Sequence, residues 1–197
     1  MILLAGPHGA GKTKTAEMLL SQRFTAIDLG PTLRAIHCRS GSSLDFWAWI
    51  KHGETKQGPH FTDELIVEEI FKERKTVEGE GAYQGIVVAG SRSARGVRYI
   101  TDRVPRINGR KHTVVFLDAP PEILLERYNC REGKQLTAGE FSVLLEYDVA
   151  LGLETIRSIA DFYLWNTGSE DDLRRKLEQL LFDELQYTRN YGFSIKK

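Results

Sequence analysis

Five short apolar runs punctuate the chain, at residues 1–5, 24–29, 85–89, 112–117 and 162–165, with longer mixed stretches between them. Runs of this length read as buried strands, being too short for core helices. Between the first two, residues 12–22 carry Ala16, Leu19 and Leu20 at helical spacing. Pro121 stands where a helix start accepts it, after Ala119 and Pro120 close the fourth run. Thr137 and Glu140 have the spacing of a capping box and open a helix predicted from Ala138 towards Ala160. Ser169 is placed to cap a last helix with Leu173, Leu177, Leu180 and Leu181 on one face. Strands alternating with helices predict an α/β fold of three layers, a five-stranded parallel sheet with helices on both faces.

One stretch breaks the alternation. Residues 35–84 form a long insertion between the second and third strands. Phe46, Trp47, Trp49 and Ile50 predict a small apolar cluster there, and residues 61–74 read as a separate amphipathic helix. A helical insertion at this point can wall a substrate cleft; the plainer alternative is an added helical layer that only packs. Trp47, Trp49 and Phe61 are candidate stacking platforms, although such aromatics are more often simply core. No internal repeat, low-complexity tract or linker divides the chain, so residues 1–197 read as a single domain.

Composition narrows the classes. Lysine and arginine total 27, matching the 27 aspartates and glutamates, so no global basic field invites a nucleic acid. Tyr191 and Phe193 interleave with Arg189, Lys196 and Lys197 at the C-terminal end. Docking on its own domain, or on a second copy in a homodimer, explains that segment more simply than base stacking. Cys38 and Cys130 show no metal-ligand spacing and read as reduced thiols. No run approaches a membrane span, and the first apolar run is unlike a signal peptide. The expectation is a cytoplasmic protein with no membrane partner.

The chemistry is concentrated near the start. Gly6-Pro7-His8-Gly9-Ala10-Gly11-Lys12-Thr13 is a G-x-x-x-x-G-K-T motif between a predicted strand and a predicted helix, the context a phosphate-binding loop requires. Gly6, Gly9 and Gly11 let the backbone curl, and with His8 and Ala10 they supply N–H groups to a concave anion site at a helix N-terminus. Lys12 is expected to reach the β- and γ-phosphates of ATP, and the Thr13 hydroxyl to ligate Mg²⁺. His8 occupies a position the motif leaves free and reads as a spacer whose backbone lines the loop.

With these residues in place, the chain resembles the nucleoside monophosphate kinases of the adenylate kinase type. The likeness is nearest to divergent microbial and phage deoxynucleotide monophosphate kinases and dephospho-coenzyme-A-kinase-like proteins. Beyond the loop, it is carried by Ile27-Asp28-Leu29-Gly30-Pro31-Thr32-Leu33-Arg34, by Gly53-Glu54 with Phe61-Thr62-Asp63-Glu64-Leu65-Ile66, and by Val87-Val88-Ala89-Gly90-Ser91-Arg92-Ser93. It continues from Val114-Val115-Phe116-Leu117-Asp118 through Arg127 and Arg131 to Ala160-Asp161-Phe162-Tyr163-Leu164-Trp165-Asn166.

The resemblance implies a P-loop kinase with ATP and Mg²⁺ as cofactors and small nucleotides as substrates. It implies Arg34 and Arg92 as a clamp on an acceptor phosphate, work that suits the planar guanidinium fork. Arg127 and Arg131, four apart, would act catalytically from a short lid at residues 128–136, closing over the transferring phosphoryl group. The sequence departs from the family at two places. Ala89 stands where an aspartate usually helps hold Mg²⁺, and Pro31 stands where another aspartate follows the glycine. Asp28, at a neighbouring strand end, is placed to bind substrate and to share the metal role; Asp118 is a weaker candidate. Three functions remain open on sequence: transfer to a nucleoside monophosphate, transfer to dephospho-coenzyme A, and nucleotide binding by a regulator without efficient transfer.

Overall fold

The computed structural model describes residues 1–77, 83–107, 109–133 and 135–187. The C-terminal aromatic and basic residues Arg189, Tyr191, Phe193, Lys196 and Lys197 lie outside them, as does Lys134 of the expected lid.

All five apolar runs are strands: β1 (Ile2–Ala5), β2 (Phe24–Asp28), β3 (Gly85–Ser91), β4 (Thr113–Asp118) and β5 (Phe162–Trp165). They pair in the order β2-β3-β1-β4-β5, every pair parallel. The sheet alternates strictly. Ile2, Leu4, Val87, Ala89, Val115 and Leu117 face one core, and Leu3, Ala5, Ile86, Val88, Val114 and Phe116 face the other. Because parallel strands need covered faces, β1 and β4 are buried at every position, whereas the edge strands β2 and β5 are only partly buried.

The first core is closed by α1 (Lys12–Leu20), α6 (Pro121–Glu132), α7 (Ala138–Ala150) and α9 (Glu170–Gln179), which deliver Leu19, Leu124, Phe141, Leu173 and Leu177. The second is closed by α4 (Phe61–Val77), α5 (Ala94–Arg103) and α8 (Leu153–Ile159), through Ile66, Ile70, Val97, Ile100 and Ile156. The result is the three-layer sandwich expected from the alternation.

Local signals explain most boundaries. Thr137 and Ser169 each form a capping box, with Glu140 and Asp172 as the reciprocal partners. Asp45 caps α3 (Phe46–Gln57) by accepting from the Trp47 and Ala48 amides. The helix expected from Ala138 towards Ala160 is two helices, because Gly152 takes a left-handed conformation (φ 100°) and α8 restarts after it. Beyond α9, Leu180–Glu184 forms a π-helical turn, not a continuation of the α-helix.

The insertion contributes to both a layer and a wall. α4 belongs to the sandwich, while α2 (Leu29–Arg39) has no fully buried residue, packs on β2 and β3 directly after the end of β2, and carries α3 against itself and α4. The aromatic cluster holds His37, Phe46, Trp49 and Phe61, with Trp49 and Phe61 ring centroids 5.0 Å apart. Phe61 packs flat on Gly53, where a Cβ would lie 2.2 Å from the ring. Trp47 is not in this core; it is 63% exposed.

Candidate active site

The loop between β1 and α1 is wedged against the rest of the sandwich. A Cβ on Gly6 would sit 2.1 Å from the Leu117 carbonyl oxygen, and one on Gly9 would sit 2.2 Å from that of Leu124. The glycines thus serve close backbone approach as well as curvature, since all three of Gly6, Gly9 and Gly11 have positive φ. Asn166, buried just past β5, donates its side-chain amide to the Ala10 carbonyl at 3.0 Å and ties the loop to the far edge.

Lys12 folds back over the loop. Its ammonium donates to the Gly6 carbonyl at 2.8 Å and to the Pro7 carbonyl at 2.7 Å. The residue as a whole is half-buried, but its charged end is enclosed by protein. Burial, with the positive charge of Arg92 second, lowers its pKa from 10.5 to about 7. Asp148 and Asp28 oppose that shift, and Arg131 adds to it, so these side chains lie within electrostatic reach of one ammonium.

Thr13 and Asp28 come together. The Thr13 hydroxyl donates to Asp28 Oδ2 at 2.7 Å, while Asp28 Oδ1 accepts from the Gly30 amide and starts α2. Two hard oxygen donors at the mouth of the loop fit Mg²⁺, which takes few protein ligands and fills its shell with water and phosphate oxygens. Among the described residues, no group of three or more His, Cys, Asp or Glu side chains offers an all-protein metal cage. Asp118 is elsewhere: it accepts from Arg157 and from Tyr163, on the face covered by α8.

The arginines divide. Arg34 is exposed on α2, its guanidinium 5.1 Å from the centroid of the Phe46 ring. Arg92, expected to be a free phosphate clamp, instead donates to Asp148 Oδ1 at 3.0 Å and contacts His8 Nε2 at 2.8 Å. Arg127 donates to the Asn166 and Gly168 carbonyls at 2.8 and 3.2 Å, bracing the turn after β5. Arg131 pairs with Glu132 and lies over the Tyr128 ring. Of the segment expected as a lid, residues 128–132 belong to α6.

His8 is more than a spacer. Its ring Nδ1 is 2.8 Å from Asp148 Oδ2, and its backbone amide donates to the same oxygen at 3.2 Å. Asp148, with a side chain wholly shielded from solvent, went unnoticed in the sequence. Burial pushes its pKa upward, but His8 and Arg92 outweigh that and hold the carboxyl below its ordinary value. An isolated acid in an amphipathic helix gives no signal of a partner 140 residues away.

Solved structures agree with this architecture. A protein from Thermus thermophilus, TT1252, superimposes with a TM-score of 0.65 over 93% of this chain and 96% of that one, at 21% identity. The likeness is one of fold. Shikimate kinase from Acinetobacter baumannii, in complex with shikimate, shares this fold with a TM-score of 0.53, 22% identity and 92% coverage of both chains. A gluconokinase from Sinorhizobium meliloti gives 0.53 at 16% identity, covering 93% of this chain and 96% of its own. No protein-family model and no curated protein matches the sequence. No helix among the described residues is long and apolar enough to cross a membrane.

Proposed function

We propose that this chain is a phosphotransferase that moves the γ-phosphoryl group of Mg-ATP to a small acceptor held between the phosphate-binding loop and helices α2 and α3. The observation that carries this reading is the Thr13–Asp28 contact of 2.7 Å, which joins the hydroxyl of the residue after Lys12 to a carboxylate at the end of β2. Thr13 and Asp28 would hold Mg²⁺, which would supply positive charge beside the phosphates. Lys12 would leave the Gly6 and Pro7 carbonyls for the β- and γ-phosphates. Arg34, exposed on α2, would engage an acceptor phosphate, supporting a nucleoside monophosphate as the acceptor.

A second reading has its own support. Arg92 is already neutralised by Asp148, which leaves less positive charge for a doubly charged acceptor and favours a hydroxyl-bearing one. Two neighbours of the same fold carry the names shikimate kinase and gluconokinase.

The test is ADP formation from Mg-ATP across nucleoside and deoxynucleoside monophosphates, dephospho-coenzyme A, and small polyols and hydroxy acids. Turnover with one acceptor, lost in Lys12→Ala, supports transfer and identifies the class. Silence throughout, with ATP binding intact, points to a nucleotide-binding protein that does not transfer.

A further inference from the structure

Asp148 is an anion buried in a place built for anions. Three donors converge on its carboxylate: the His8 backbone amide, the His8 ring and the Arg92 guanidinium. They come from the phosphate-binding loop and from the turn after β3, and both segments face the Lys12 ammonium whose pKa reports Arg92 and Asp148 as neighbours. A loop amide and an arginine at that mouth are the groups that would receive a terminal phosphoryl group. Here a side chain of α7 takes them.

We propose that Asp148 is an internal counter-anion, bound by His8 and Arg92 until the terminal phosphoryl group of a nucleoside triphosphate competes for them. It rests on the reading of the loop as a nucleotide site and deepens it, by making the cluster the element that distinguishes triphosphate from diphosphate. The physical basis is charge. A carboxylate near the γ-position repels that phosphoryl group and occupies Arg92, whereas the α- and β-phosphates of a diphosphate are cradled by the glycine backbone and Lys12. Asp148 is a positioning residue, acting through Arg92 and His8.

The experiment uses the full chain and two probes, Mg-ADP and the non-hydrolysable analogue Mg-AMPPNP, titrated calorimetrically. Replacing the charge but keeping the shape, in Asp148→Asn, is expected to raise the ratio Kd(ADP)/Kd(AMPPNP) at least tenfold. Removing the receiver, in Arg92→Gln, is expected to lower the same ratio at least tenfold, and this variant keeps the test decisive should Asp148→Asn fail to fold. A ratio within threefold of wild type in a folded variant overturns the inference while the nucleotide site stands. A wild-type protein that binds neither probe overturns the inference and the proposed function together.

Discussion

At the scale of single residues, Lys12 is the group whose chemistry is most changed by the fold. Its ammonium is enclosed beside Arg92, and its pKa falls from 10.5 to about 7. Between those values the folded protein holds fewer protons than the unfolded chain, so stability gained from this group rises with pH across that window. Below about pH 7 the penalty of the buried ammonium is present in full. A triphosphate in the loop supplies the missing counter-charge and returns the pKa towards its ordinary value. ATP binding at pH 8 is therefore expected to take up about one proton. Titration in two buffers of different ionisation enthalpy measures the uptake, and Lys12→Met should abolish it. An uptake of zero in the wild type would mean that the ammonium is already charged before nucleotide arrives. The type and position of Lys12 were legible in the motif, but its burial near Arg92 was not, because that proximity depends on β1 and β3, distant in sequence, lying side by side.

At the scale of elements, strands and caps were legible and breaks were not. The buried apolar runs and the caps at Thr137 and Ser169 follow from residue type at short spacing, which a sequence displays directly. Gly152 shows the limit. Apolar periodicity runs on past it from α7, so residues 138–160 read as one helix, whereas the chain turns through a left-handed conformation at that residue. Periodicity records which face a side chain occupies and is silent about φ. The turn also lets α7 face the phosphate-binding loop with Asp148 while α8 covers the opposite core with Ile156. Gly152→Ala should destabilise the protein by about 1 kcal/mol. An alanine there meets the strain of positive φ and a Cβ contact with Ala94 at 3.3 Å. The corresponding fall in Tm is roughly 2–4 °C for a chain of this size. An unchanged Tm would show that the α7–α8 junction tolerates a right-handed turn and that the division into two helices is not enforced here.

At the scale of the whole molecule, the sheet order decides which residues meet. The order β2-β3-β1-β4-β5 sets β3 between β2 and the strand that leads into the loop, so Asp28 lies directly across from Ala89. Ala89 is fully buried and pairs also with Leu4 of β1, at the floor of the site. Directly opposed side chains on neighbouring strands are roughly 5 Å apart, close enough for two carboxylates to repel strongly when no cation lies between them. Ala89→Asp is thus a structural probe of the metal position that needs no knowledge of the acceptor. In EDTA the variant should melt roughly 5 °C or more below wild type, an order-of-magnitude expectation for one uncompensated buried charge. Millimolar Mg²⁺ should return at least half of that loss, because a divalent ion beside Thr13 and Asp28 would now bind two carboxylates. The wild type, with Asp28 alone, should shift less. Equal Mg²⁺ effects on the two proteins would place the ion away from the β2–β3 edge. That result would remove Asp28 from the metal site and leave its hydrogen bond with Thr13 as a cap-and-loop contact only.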